Sequence, residues 1–239
     1  MKILLGIVAL YFIILFFKST KNKRVNKNED ITDIDEQYRL GCKYTDLGDF
    51  NNAIRYFNLA SEQGHLQSQL ALAELYFHIF KKYDLAEKYF KLAIGNGDID
   101  AYNGLGRVYS HQKKYDLAEE AYKTAIENGD KISIFNLGVL YMYQHKHDLA
   151  EEYLKLSIEN GNVKALEMLG IIYSDQDKYD LAEEAYKTAI ENGETSALIS
   201  LAVMYYRYGK HDLAIKHLKL ASEKKIKDAD NLLKNLYGL

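Results

Sequence analysis

The residues with the most chemical promise are histidines. In His145-Lys146-His147 two imidazoles flank a lysine, a spacing that could offer a metal two nitrogen ligands. Paired acids such as Glu119–Glu120 and Glu151–Glu152 could in principle share acid–base work. Both readings weaken when the chain is compared with itself. His147 and His211 stand where related stretches carry Tyr83, Tyr115 and Tyr179, and His217 stands where others carry Tyr89 and Tyr153. A position that takes either ring calls for a flat, half-buried side chain filling a groove, not for a lone pair on a metal. The acid pairs fall on helix faces expected to meet water. No glycine-rich phosphate loop and no serine or cysteine nucleophile signature occurs. Cys42 is the single cysteine, so neither an intrachain disulfide nor a thiolate cluster can form. The sequence predicts no catalysis, no metal and no cofactor.

The elements that hold these residues keep a strict period. Tyrosines recur at Tyr44, Tyr76, Tyr109, Tyr141, Tyr173, Tyr205 and Tyr237, spaced 32 residues apart with one interval of 33. The longer interval arises because "FHIFKKYDLA" holds one residue more than "SHQKKYDLA". Alanines keep step at Ala53, Ala86, Ala118, Ala150, Ala182 and Ala214, and the fifteen residues 115–129 recur unchanged at 179–193. Identical segments serve where each meets similar neighbours, which is true of a stacked array.

Each unit reads as two helices. The first contains Leu-(Gly/Ala)-x-x-Tyr, as in Leu105, Gly106 and Tyr109. The second opens on Asp-Leu-Ala-Glu, where Asp116 is expected to cap and Glu119 to close a capping box, a device repeated at Asp84/Glu87, Asp148/Glu151 and Asp180/Glu183. Ala118, Tyr122, Ala125 and Ile126 share one face of it. The "ENG" that follows supplies a left-handed glycine, and Asp98, Asp130 or Asn162 directly after it is placed to cap the next helix. Close helix crossing is expected where small residues face each other, Gly106 with Ala118 and Gly138 with Ala150.

This pattern resembles the tetratricopeptide repeat from about Asp33 to Leu239. The family's Leu, Gly/Ala, Tyr, Ala, aromatic and Ala positions are matched by Leu40, Gly41, Tyr44, Ala53, Phe57 and Ala60. The family's tryptophan and late proline are absent, and 32 residues is shorter than its usual unit. The glycine after the second helix is similar to the related Sel-one-like repeat, and both assignments stand. The implied fold is all-α: an α-solenoid of about six helix-turn-helix repeats over 33–64, 65–97, 98–129, 130–161, 162–193 and 194–225, with a capping helix over 226–239. In the cap, Lys234 takes the place of the small residue, as befits a face with no second helix to cover it.

Upstream, Ile3–Phe17 is unbroken apolar sequence, followed by Lys18, Lys21, Lys23, Arg24 and Lys27. Fifteen helical residues reach about 22 Å against a hydrocarbon core of about 30 Å, a gap that snorkelling lysines narrow. We expect one N-terminal transmembrane anchor at 1–17, a basic polar linker at 18–32 and, by the positive-inside rule, cytosolic repeats. A cleaved signal peptide is the alternative, which would make the chain an exported or lumenal repeat protein that regulates others.

A net charge of −3 argues against a nucleic-acid footprint, and nothing points to a small-molecule substrate. What remains is surface. The family resemblance implies a concave face lined by first-helix residues, among them Tyr38, Arg39, Asn103, Phe135, Met168, Ile171 and Tyr206. Its centre falls on Arg107, Asn136, Val139, Met142 and Tyr143, a mixture of aromatic, thioether, amide and guanidinium groups suited to a partner peptide or helix. Only Arg39, Arg107 and Lys164 are basic there, so the family's clamp for acidic C-terminal tails is not reproduced.

Overall fold

The computed structural model describes residues 32–238. They form thirteen α-helices and one π-helical turn, with no strand among the described residues. Two compact units divide at Asn128/Gly129.

In the first unit the helices are α1 (Ile34–Asp46), α2 (Phe50–Ser61), α3 (Leu66–Glu74), the π-turn Leu75–Ile79, α4 (Tyr83–Gly95), α5 (Ala101–His111) and α6 (Tyr115–Glu127). The second contains α7 (Lys131–Tyr143), α8 (His147–Glu159), α9 (Lys164–Asp175), α10 (Tyr179–Glu191), α11 (Ala197–Arg207), α12 (His211–Glu223) and α13 (Ala229–Tyr237). Within each unit every helix packs on the next in the chain, which is the arrangement of a helical-repeat solenoid. The expected membrane anchor at Ile3–Phe17 lies outside the described residues. Among the described residues no helix is long and apolar enough to cross a membrane.

The first unit buries Leu40, Phe57, Leu72, Phe90 and Tyr122; the second buries Leu137, Leu154, Ile172, Tyr186, Leu201 and Leu218. Each of these large side chains contributes about 1.5–3 kcal/mol by leaving water.

The glycines of the first helices make this packing possible, but not against the residues expected. A Cβ on Gly106 would sit 2.6 Å from the Tyr122 ring, not against Ala118, and one on Gly138 would meet Leu154, not Ala150. Gly41 meets Phe57 and Gly170 meets Tyr186 in the same manner. The reason is directional. Side chains on a helix lean toward its N-terminus, so a long residue one turn beyond the alanine reaches back over the glycine.

The caps need a second correction. Asp84, Asp116, Asp148 and Asp180 do not cap their helices; they lie in the first turn, and the cap positions are Lys82, Lys114, Lys146 and Lys178, without a side-chain cap bond. Lys114 makes this plain, since its carbonyl accepts from Ala118 N at 3.0 Å. The preceding residue, Lys113, has φ +61°, and this left-handed turn starts the helix two residues early. The aspartates still favour the positive helix end by about 0.3–1 kcal/mol each. No capping box forms, and the glutamates turn instead to lysines one helical turn on: Glu87 to Lys91, Glu119 to Lys123, Glu151 to Lys155 and Glu183 to Lys187.

The other end behaves as read at the glycines and at Asp130, whereas the caps of α5 and α9 are Asp100 and Val163, so Asp98 and Asn162 bond to the helix start from outside the cap position. Gly129 and Gly193 both adopt φ +93° beyond the helix. Asp130 then accepts from Ile132 N and Ser133 N, Asp98 from Ala101 N, and Asn162 from Lys164 N.

The periodic tyrosines tie successive repeats together. Tyr109 donates to Glu87 at 3.3 Å in the first unit, and Tyr173 donates to Glu151 at 2.9 Å in the second. Lys114 and Lys178 lie over the faces of those two rings. Burial pushes the Glu87 carboxyl up, but Lys91 and Lys114 outweigh it and hold it below the usual range. Lys155 does the same for Glu151. The histidines fall into place as rings: His217 packs against Tyr205 at 5.3 Å, as Tyr89 packs against Tyr76 at 5.7 Å and Tyr153 against Tyr141 at 5.5 Å.

Candidate functional site

The expected binding residues fall in both units. In the second unit, Asn136, Val139, Met142 and Tyr143 all belong to α7. Asn136, Val139 and Tyr143 follow the i, i+3, i+7 spacing that puts side chains on one helix face, with Met142 one turn from Val139. The first two and Met142 are half-buried, and Tyr143 is 56% exposed. Leu137 and Tyr141, on the opposite side, carry the packing and are 0% and 2% exposed.

Farther along the same unit, α9 and α11 enclose a shallow apolar cleft of about 180 Å³ above the Tyr186 ring. Ile171 and Val203 line it, and Asp175 and Arg207 pair across it at 3.4 Å. Val203 and Arg207 were not singled out from the sequence, although the period contained the signal. Val139, Ile171 and Val203 all stand two residues before a periodic tyrosine.

In the first unit that same position is held by Cys42, Glu74 and Arg107. Arg107 is committed to neighbours on the preceding repeat. Its Nη1 lies 3.2 Å from Glu74 Oε1 and its Nη2 2.6 Å from His78 Nε2, while the guanidinium sits 4.7 Å from the centre of the Phe77 ring. Burial alone would raise the Glu74 carboxyl, but Arg107 and His78 more than reverse this and hold it below the usual range. This grouping of Glu74, His78 and Arg107 occurs at one place because the extra residue of the longer interval is taken up as the π-turn. The sequence showed the insertion without showing its consequence.

Among the described residues no group of three or more His, Cys, Asp or Glu side chains is arranged to hold a metal. His145 and His147 meet ring to ring at 5.9 Å. The surface is one of shape, aromatic area and a few placed charges, which can recognise a polypeptide.

Helix pairs of this length, with a small residue seated under a large side chain of the second helix and tyrosines such as Tyr109 and Tyr173 tying one pair to the last, define a tetratricopeptide-type repeat array. Three family models, each described as the tetratricopeptide repeat, match residues 37–62, 99–128 and 135–229. The chain belongs to that family. Among solved structures it is similar to PilW, described as a widely conserved type IV pilus biogenesis factor, with 18% identity, a TM-score of 0.69 and coverage of 84% of this chain and 97% of that one. It is similar too to a Sel1 repeat protein from Oxalobacter formigenes, with 22% identity, a TM-score of 0.57 and coverage of 80% and 85%. A third is YrrB, described as a TPR protein with an unusual peptide-binding site, at 20% identity, a TM-score of 0.50 and coverage of 68% and 89%. No curated protein sequence matches the chain significantly.

Proposed function

We propose that the chain is a non-catalytic scaffold that binds a partner protein segment on its first-helix faces. In the second unit the contacts are Asn136, Val139, Met142 and Tyr143, and in the first the contact is Arg107. The observation that carries this reading is Tyr143: a large aromatic ring more than half exposed, on a helix whose other face is wholly packed. An exposed ring flanked by a thioether and an amide is a common anchor for a docking peptide. The peptide-binding site named for YrrB lends the reading support from a protein of similar fold. The apolar segment Ile3–Phe17 serves, in this proposal, as a retained single-pass anchor with the repeats in the cytosol.

Two experiments test it. Partner capture by the full chain is compared with Tyr143→Ala and Arg107→Ala, with a melting curve for each. Binding is expected to fall about 30-fold for either variant, corresponding to about 2 kcal/mol, while melting of Tyr143→Ala stays near that of the parent. Folded variants that keep full binding would move the site to the second-helix surface. Intact mass and protease accessibility in sealed vesicles test the anchor. A mature chain starting near residue 19 would replace it with a signal peptide, and protected repeats would reverse the orientation.

A further inference from the structure

The π-turn sets one nitrogen between two groups that make opposite demands on it. His78 Nε2 lies 3.0 Å from Glu74 Oε2 and 2.6 Å from Arg107 Nη2. An ionised carboxylate only accepts hydrogen bonds and a guanidinium only donates them. A neutral ring with its proton on Nδ1 accepts from Arg107 but turns a lone pair toward Glu74. A protonated ring donates to Glu74 but sets its own N–H against that of Arg107, bringing two cations to 2.6 Å. The neutral ring with its proton on Nε2 has the same clash. The position of Arg107 therefore belongs to the neutral, Nδ1-protonated ring and that of Glu74 to the protonated one, so the three residues stand between two states.

We propose that Glu74, His78 and Arg107 form a proton-operated latch within the first unit. While His78 is neutral, Arg107 is held on its Nε2 and against Glu74, lying over Phe77. When His78 takes a proton it donates to Glu74 instead, and Arg107 loses its hold at Nη2 and is driven outward by the new positive charge. The guanidinium, 29% exposed in the closed state, then keeps only its Nη1 contact with Glu74 at 3.2 Å and can turn toward an acidic group outside the fold. The only covalent change is a proton passed from hydronium in solvent to the His78 Nε2 lone pair.

The surroundings support a device confined to these three residues. Arg107 and His111 come from α5, with His111 against the Phe77 ring at 5.0 Å and against Tyr83 of α4 at 5.4 Å. Tyr122 of α6 is the buried hydroxyl that feels the Arg107 charge. On α1, Tyr38, Cys42 and Asp46 interact with one another. In the second unit Ile171 and Val203 stand in the column of Glu74 and Arg107, and the ion pair of Asp175 with Arg207 lies one turn beyond it, in the register of His78 and His111. The latch does not depend on where a partner docks.

Side-chain nitrogen NMR of the full chain tests the latch directly. A titration between about pH 5 and 8 covers the range in which imidazoles change charge. At the upper end His78 is expected to show an unprotonated Nε2, with the Arg107 guanidinium slow to rotate. Through the His78 titration the Arg107 signals should shift with the same midpoint and gain free rotation. In His78→Gln the amide can both accept from Arg107 and donate to Glu74 without titrating, so the Arg107 signals should hold still across the same range. A proton on Nε2 at the upper end would overturn the proposal. So would Arg107 signals that ignore the His78 titration, or that still move in His78→Gln. The backbone spectrum of the variant reports whether it is folded.

Discussion

The two units share a framework and differ in what they display. α6 in the first and α10 in the second have the same thirteen residues, the same cap backbone (φ −85°, ψ 68° at Lys114 and φ −86°, ψ 68° at Lys178) and the same buried set. Tyr122 and Tyr186 are 3% and 2% exposed, each lying over a glycine of the helix before it. The column two residues before the periodic tyrosine is different. It reads Cys42, Glu74, Arg107 in the first unit and Val139, Ile171, Val203 in the second. What is repeated holds the helices together, and what varies faces outward. The proposed partner surface draws on the varied column, and the copied segments supply the packing.

The most damaging way to test the equality of the frameworks is to remove the matched rings. Tyr122→Ala and Tyr186→Ala should each cost about 3–5 kcal/mol, by analogy with other large buried aromatics, and agree within about 1 kcal/mol. Denaturant titrations measure this, and a large cost at one site only would break the comparison. A smaller and equally matched effect is expected from overpacking. Gly106→Leu and Gly170→Leu push into rings 2.6 and 2.5 Å from the new Cβ and should cost about 1–3 kcal/mol each, read from the melting midpoint.

The smallest effect sharpens the difference between the columns. Glu74 is held below the usual carboxylate range by Arg107 and His78 despite its burial. Its contribution is therefore present above the unfolded carboxylate range, near pH 4.3, and is lost as pH falls through the lower folded value. Because the pair is partly open to solvent, the contribution is about 1 kcal/mol or less. Glu74→Gln should flatten the acid limb of a stability–pH curve, whereas Val203→Thr, in the equivalent column of the second unit, should leave the shape of that limb unchanged.

Much of this framework is legible in the letters. The tyrosine and alanine periods give the helix pairs, the helix-ending glycines and the charged face of the capping helix, where Lys234 is exposed as expected. Three features are not legible, each for a physical reason. Gly106 meets Tyr122 because side chains lean along the helix, which pairing small residue with small residue ignores. Asp116 falls inside the helix because Lys113 adopts a left-handed turn that no Asp-Leu-Ala-Glu motif announces. The extra residue near Phe80 was visible as an interval, but a helix can take up an insertion in its loop or in its barrel. Only the fold reveals a π-turn at Leu75–Ile79 and, with it, the meeting of His78 and Arg107. The charged site was hidden because Glu74 and Arg107 are 33 residues apart and meet only when their repeats stack.

The claim that the varied first-helix face binds a partner can be tested with one pair of positions. Tyr143 on α7 and Leu181 on α10 are both exposed, at 56% and 46%, one on a first helix and the other on a second. Each is replaced in turn by a photoreactive phenylalanine analogue in the full chain, and cross-linking is triggered in cells. The account predicts a discrete partner adduct from position 143 and none from position 181. An adduct from 181 with none from 143 would contradict it.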